Sequence, residues 1–320
     1  MKYAAGIDVG GTNIECGILD ELGNVLIQRK YRTQPEKGAD AILESISLTI
    51  DELSAEAEIA AHDIEVIGVG IPGLVDPEAG ISLRAVNLNW SHVPVAAKLM
   101  ELTGKPVFID NDVRMYVYGE AVAGAGRGYD YVYGITIGTG LAAAFVQRGE
   151  IHRGHRFMAG EIGHVPINHT NFVCGCGRNG CLETIVSATG IAKQAQTRIE
   201  QGEASLLNEW FTDVKDIRSS DVYNACLAGD ELSRDVFEQT GRELGRALAW
   251  VVPTLSPDVI VIGGGGALAG ELIFEPMKDE LNHRLLQDYR NHFDIKSAEL
   301  SDGAGIIGSA LWALHQHRQG

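Results

Sequence analysis

The chain has 320 residues, 45% of them hydrophobic and 22% charged, enough to bury two apolar cores of ordinary size. A net charge of −17 works against a nucleic-acid partner, because phosphate binding needs clustered lysine and arginine. No apolar run approaches the roughly 20 residues that span a bilayer, and Met1-Lys2-Tyr3-Ala4-Ala5-Gly6 opens no secretory leader, so a cytoplasmic protein without a membrane partner is expected.

The predicted elements begin with a meander of three short strands over 4–9, 14–19 and 25–32, parted by Gly and Asn turns. A helix over 39–57 places Ile42, Ile46, Ile50 and Leu53 on one face. Strand 66–71, a turn-rich stretch, a helix near 95–103 and strand 107–109 follow. A later strand ends Ile135-Thr136-Ile137-Gly138-Thr139-Gly140, much as the first ends Ile7-Asp8-Val9-Gly10-Gly11-Thr12. The halves read as copies of one unit, two α/β domains facing each other across a cleft. A long helix over 231–252, with Val236, Leu244, Leu248 and Val251 inward, leads past Pro253 and Pro257 into strand 259–262 and the glycines 263–266. The final helix, 305–316, carries Ile307, Leu311 and Leu314 and is expected on the first domain. Residues 1–115 with 303–320 are drawn as a smaller α/β domain, and 116–302 as a larger one holding a metal segment at 164–181.

One pattern is set aside. Gly68-Val69-Gly70-Ile71-Pro72-Gly73 has the spacing of a dinucleotide loop, but Pro72, Gly73 and Asp76-Pro77 prolong a loop where that motif needs a helix N-terminus. No Gly-Lys-Ser or Gly-Lys-Thr of a Walker A loop occurs either. Asp8-Val9-Gly10-Gly11-Thr12-Asn13 is a better phosphate candidate: adjacent glycines let backbone N–H groups turn toward an anion, Thr12 adds a hydroxyl, and Asp8 can hold Mg²⁺. Alone it reads first as a hairpin turn. The echo at Gly138-Thr139-Gly140 tips the reading, since two such turns can grip adjacent phosphates of one nucleotide. Asp110-Asn111-Asp112, taken alone, is an ordinary polar turn. Cys174, Cys176 and Cys181 crowd into eight residues, which in a reducing compartment favours a metal over disulfides, while Cys16 and Cys226 read as buried small residues.

Asp8 to Thr12, Asp110 to Asp112, Gly138 to Gly140, Gly160-Glu161-Ile162-Gly163-His164 and Cys174 to Glu183, in this order over nearly the whole chain, resemble the ROK family of bacterial sugar kinases and sugar-responsive repressors. The resemblance implies a two-domain, ribonuclease H-like fold of the actin and hexokinase kind, with ATP between the domains and a sugar at the cleft floor. By it, Asp112 is the general base that takes the proton of the attacking hydroxyl. Asn87, Asn111, Asp112, Glu161, His164 and Glu183 would line the sugar. Asp8, Gly10, Gly11, Thr12, Asn13, Thr136, Gly138, Thr139 and Gly140 would serve ATP and Mg²⁺, and Gly264 and Gly265 the adenosine side.

The same resemblance makes His164 the fourth ligand of a closed, structural zinc site with Cys174, Cys176 and Cys181, ahead of the competing His169. It further implies a dimer or tetramer. The expected reaction is ATP-dependent phosphorylation of glucose at the 6-hydroxyl. Allose, N-acetylmannosamine or another rare or amino hexose stay open: the segment 160–166 and Asp112-Val113 look somewhat like bacterial allose kinases, and Gly140-Leu141-Ala142-Ala143-Ala144 departs from the glycine-rich glucokinase form. A sugar-sensing regulator is the rival of another class; the phosphate turn beginning at residue 8 leaves no room for the helix-turn-helix domain expected of one. After Asp112 the chain departs from the family, with Val113-Arg114-Met115-Tyr116 where an Ala-Asn pair and small residues are usual.

Overall fold

The computed structural model of the protein describes residues 2–167, 170–300 and 303–319. Strands β1 (Tyr3–Val9), β2 (Asn13–Asp20) and β3 (Val25–Arg32) lead into helix α1 (Gly38–Glu56) and strand β4 (Ile64–Ile71). Three short strands, β5 (Leu74–Asp76), β6 (Ile81–Ala85) and β7 (Trp90–Val93), precede α2 (Val95–Thr103), β8 (Val107–Asn111) and α3 (Asp112–Val122). Next come β9 (Tyr131–Ile137), β10 (Leu141–Gln147), β11 (Glu150–Ile151), α4 (Glu183–Val186), α5 (Ala188–Glu200), α6 (Leu207–Trp210) and α7 (Ser219–Leu227). The chain ends with α8 (Glu231–Leu255), β12 (Val259–Gly263), α9 (Glu271–Arg284), β13 (Asp294–Ser297) and α10 (Ala304–Gln319).

Two compact units result: Met1–Val132 with Ala144–Ala159 and Ala298–Gly320, and Tyr133–Ala143 with Gly160–Ser297. Helix α3 runs across residue 115 and stays whole within the first.

In the first unit the sheet order is β3-β2-β1-β4-β8. The predicted meander forms its antiparallel edge, with Ile7 opposite Cys16, and β4 then joins β1 in parallel, with Ile7 opposite Val69. One face is covered by α1, whose Ile42, Ile46, Ile50 and Leu53 are all buried against Ile7, Val9, Ile14 and Ile67. Each such side chain contributes about 1.5–3 kcal/mol of transfer free energy. The other face carries α10, with Ile306, Ala310, Ala313 and Leu314 packed on Ala4, Leu19 and Val66. Coverage on both sides explains why β1 and β4 read as continuous apolar runs rather than alternating ones.

Glycine makes that second layer possible. A Cβ on Gly68 would stand 1.8 Å from the Ser309 carbonyl oxygen of α10. The motif set aside at Gly68 to Gly73 is thus a packing surface followed by a turn, with Gly73 at φ +87° sending the chain into β5 rather than into a helix. The small antiparallel sheet β5-β6-β7 was not predicted, because its strands lie in a stretch rich in Pro, Gly and Asn.

The second sheet runs β11-β10-β9-β12-β13, and β12 pairs in parallel with β13. In the second unit α8 extends three residues beyond the predicted end, through Pro253, and closes at Ser256 with φ 47°. A proline in the last turn forfeits only one hydrogen bond of the helix ladder, so it does not stop the helix at once. No helix among the described residues is long and apolar enough to cross a membrane.

Candidate functional site

The turn after β1 is a tight hairpin in which the Gly10 N–H donates to the Asn13 carbonyl at 2.9 Å. Thr33 reinforces it, its hydroxyl donating to the Gly10 carbonyl at 2.7 Å and its N–H to the Thr12 carbonyl at 3.0 Å. The N–H groups of Gly11 and Thr12 donate to nothing among the described residues. The hairpin reading holds, and the two N–H groups it leaves without a partner among the described residues are the kind of donor the phosphate reading calls for. Gly11 also admits Asn87, for a Cβ there would lie 2.9 Å from the Cβ of Asn87.

Asp8, near the end of β1, faces Gly305 of α10, where a Cβ would come within 2.6 Å of its Oδ2. Burial first, then the charges of Asp112 and Glu15, push the Asp8 carboxyl up from 3.8 to about 7, against the pull of Lys30. Strand β8 runs two residues further than predicted, pairing Asp110 with Gly70 and Asn111 with Ile71. What looked like a polar turn is a strand end feeding directly into a helix. Asn111 is the N-cap of α3: its Oδ1 accepts from the N–H groups of Val113 at 3.1 Å and Arg114 at 3.2 Å, and its amide donates to the Gly73 carbonyl at 3.1 Å. Asp112 follows as the first helical residue, half-buried, its Oδ1 accepting from the Val113 N–H at 2.9 Å.

In the second unit the turn after β9 repeats the first. The Gly138 N–H donates to the Gly140 carbonyl at 2.9 Å, while the N–H groups of Thr139 and Gly140 donate to nothing among the described residues. Thr136 lies half-buried in β9 just before it. Glu183 opens α4, its Oε2 accepting from the Leu141 N–H at 3.0 Å and its Oε1 from the Cys174 thiol at 3.3 Å. One carboxylate thus joins the glycine turn to the cysteine loop.

Cys174, Cys176, Cys181 and His164 come together, their donor atoms all within 4.8 Å of one another. A tetrahedral centre with metal–sulfur bonds of about 2.3 Å has edges of about 3.8 Å. Cys176 Sγ stands 3.6 Å from Cys181 Sγ, and Cys174 Sγ 3.7 Å from His164 Nδ1. The set therefore fits a zinc ion in both chemistry and spacing. The other ring nitrogen of His164 faces the Glu161 carboxylate at 3.7 Å, the arrangement that orients a metal-binding imidazole. The Arg178 backbone N–H, and then its guanidinium, hold the Cys176 thiol down to about 6, whereas burial pushes Cys174 up to about 12. Without a cation this loop supports one thiolate readily and resists the others. His169 lies outside the described residues.

Gly264 at φ +84° and Gly266 pass against Ile137, where a Cβ would fall 2.6 Å from its carbonyl oxygen and 2.4 Å from its Cγ2 respectively. Beside them opens a cavity of about 240 Å³ lined by Gly265, Gly266, Tyr223, Phe237, Ile191 and Leu268. The sequence reading missed Tyr223 and Phe237, whose rings meet edge to face at 6.3 Å, because nothing local marks an aromatic from α7 and one from α8 as neighbours. It also missed the ionic partners of Asp110, since Arg153 lies 43 positions away.

A profile of the ROK family matches residues 4–316. A glucokinase of Halalkalibacterium halodurans is 34% identical over 316 residues, covering 98% of this chain and 96% of that one. A solved ROK family glucokinase from Streptomyces griseus, in complex with glucose and AMPPNP, superposes with a TM-score of 0.81 at 32% identity over 99% of this chain and 100% of that one. The DNA-binding transcriptional repressor Mlc of Escherichia coli is 28% identical over 295 residues, 92% of this chain and 71% of the repressor. Matched by the family profile over nearly its whole length and similar to these relatives end to end, the chain belongs to the ROK family and has its two-domain, actin- and hexokinase-like α/β fold.

Proposed function

We propose that this protein is an ATP-dependent sugar kinase that phosphorylates a hexose, glucose at the 6-hydroxyl first among them. The observation that carries the reading is Asp112, a half-buried carboxylate at the first position of α3 in the same unit as Asp8 and a turn with two outward N–H donors. Sensing a sugar needs hydrogen bonds to it but no base, whereas phosphorylating it needs a carboxylate that takes the hydroxyl proton while donors hold the phosphates.

In this reading Asp112 accepts the proton of the attacking hydroxyl. Gly10 to Asn13 offer backbone donors and the Thr12 hydroxyl to phosphate oxygens, and Thr139 and Gly140, after Thr136 and Gly138, offer the same chemistry. Asp8, whose burial and acidic neighbours leave it short of a counter-charge, is the residue that would hold Mg²⁺, which when bound neutralises charge on the phosphates. The cavity beside Gly264 and Gly265 takes the adenine, between aromatic and aliphatic side chains. Asn87, Glu161, Glu183 and, through Glu161, His164 pair with sugar hydroxyls, which donate and accept and so are discriminated sharply by such partners. Asn111 serves the sugar chiefly by capping the helix that carries Asp112. His164, Cys174, Cys176 and Cys181 would hold a structural zinc ion, which would stiffen the loop that bears Glu161.

The glucokinase relatives support glucose as substrate. Similarity to Mlc favours one second reading, a sugar-responsive regulator without turnover. A coupled ADP-release assay over glucose, allose, mannose and N-acetylmannosamine separates the two: we expect sugar-dependent turnover, highest with glucose. Tight sugar binding with no ADP release on any sugar would favour the regulator.

A further inference from the structure

Asp110, next to the last residue of β8, has no solvent exposure. Its Oδ1 accepts from Arg114 Nη1 at 3.0 Å and from the Asn111 N–H at 2.8 Å, and its Oδ2 from Arg153 Nε at 2.6 Å. Arg114, only 4% exposed, lies in the first turn of α3 and spends its other terminal nitrogen on the carbonyls of Phe157 at 2.5 Å and Ala159 at 3.1 Å. Arg153 lies over the indole of Trp312 in α10, 4.7 Å from the ring centroid. One buried carboxylate and two guanidiniums thus tie β8, α3, α10 and the 153–159 segment at a single point.

Such a cluster is an expensive way to hold a fold, because ions lose hydration that apolar side chains would not have had to give up. The segment it holds is itself strained: Arg156 and Phe157 sit in succession at φ 55° and 61°, a conformation that non-glycine residues, and bulky ones above all, seldom adopt. Arg114 grips this segment by its carbonyls while standing two residues from Asp112.

We propose that Arg114, held by Asp110 and backed by Arg153, is a positioning residue for the base: it locks the first turn of α3 between the end of β8 and the 153–159 segment and so sets the direction of the Asp112 carboxylate. The proposal rests on the reading of Asp112 as the base. Misplacing a reacting group by about 1 Å can cost on the order of 10²-fold in rate. Arg114→Met should therefore lower kcat by about 10–100-fold with KM for glucose and for ATP changed less than about threefold. Arg114→Lys should recover only part of the loss, since an ammonium cannot span a carboxylate and two carbonyls as a planar guanidinium does.

Steady-state kinetics of the full chain and both variants, with hydrogen exchange of residues 111–116 and 153–160, test this. Faster exchange in both segments together, with the kcat-selective loss, is the expected result. If Arg114→Met does not fold, Arg114→Lys carries the test through the same two readouts. A folded variant with kcat within twofold of the parent, or exchange unchanged in either segment, overturns the proposal. If the unmodified chain phosphorylates no sugar, the kinase reading fails by itself, and the latch is then decided by the exchange data alone.

Discussion

A carboxylate works as a base only if it is both ionised and aimed, and the two acids of the first unit carry these demands differently. Asp112 is aimed by the helix it begins, so Asp112→Asn keeps the shape and the cap at Asn111 but removes the proton acceptor. We expect kcat to fall about 10²–10⁴-fold, the usual worth of a general base, with the glucose dissociation constant, read by titration calorimetry, within about threefold. Retention of a tenth of kcat would remove Asp112 from that role. Asp8 is the opposite case, a carboxyl raised from 3.8 to about 7 chiefly by burial. Between those values the folded chain keeps a proton that the unfolded chain has lost, so this group's contribution to stability falls as pH rises through that window. Asp8→Asn takes the group out of the balance and should melt about 2–5 °C higher than the parent at pH 8, with a smaller gain at pH 5 and no kinase activity. A melting difference equal at both pH values would contradict the assignment.

Among the elements, the cysteine loop and the end of β8 show how local pattern and tertiary context divide the work. The loop closes on itself: the Cys174 N–H donates to the Arg178 carbonyl at 2.8 Å and the Gly177 N–H to the Cys174 carbonyl at 2.9 Å, a turn that brings sulfurs two and five residues apart to one point. Zinc analysis by mass spectrometry should find one ion per chain, lost in Cys176→Ser and His164→Ala and retained in His169→Ala. Because metal and loop are coupled, a chelator should raise the glucose KM before it lowers the melting temperature. Zinc kept in His164→Ala and lost in His169→Ala would move the fourth ligand, and a metal-free, fully active protein would end the proposal. At β8 the sequence signal stops two residues early. Asp110 and Asn111 are polar and read as a turn, yet Asp110 stays in the ladder because Arg114 and Arg153 neutralise it where no water can.

At the scale of the whole molecule, sequence alone determined what depends on periodicity and on special backbone. Apolar spacing marked α1, α8 and α10, and glycines marked the turns after β1 and β9, where a Cβ would stand 2.8 Å from the Asn13 carbonyl oxygen at Gly10 and 2.6 Å from Glu183 Oε2 at Gly140. The cysteine spacing marked its loop for the same local reason, as three thiols so near in sequence cannot be far apart in space. The short strands β5 to β7 escaped because they lie in a stretch rich in Pro, Gly and Asn, and helix α3 because its polar start at Asp110 to Asp112 reads as a turn. Only the tertiary structure separated the surroundings of two neighbouring acids. Asp110 and Asp112 are the same residue type in one tripeptide, yet one is sealed among arginines from α3 and from 43 residues away, and the other stands at a helix start beside Asp8. Burial and ionic partners are properties of position in the fold, and a carboxylate's chemistry follows from them rather than from its place in a motif.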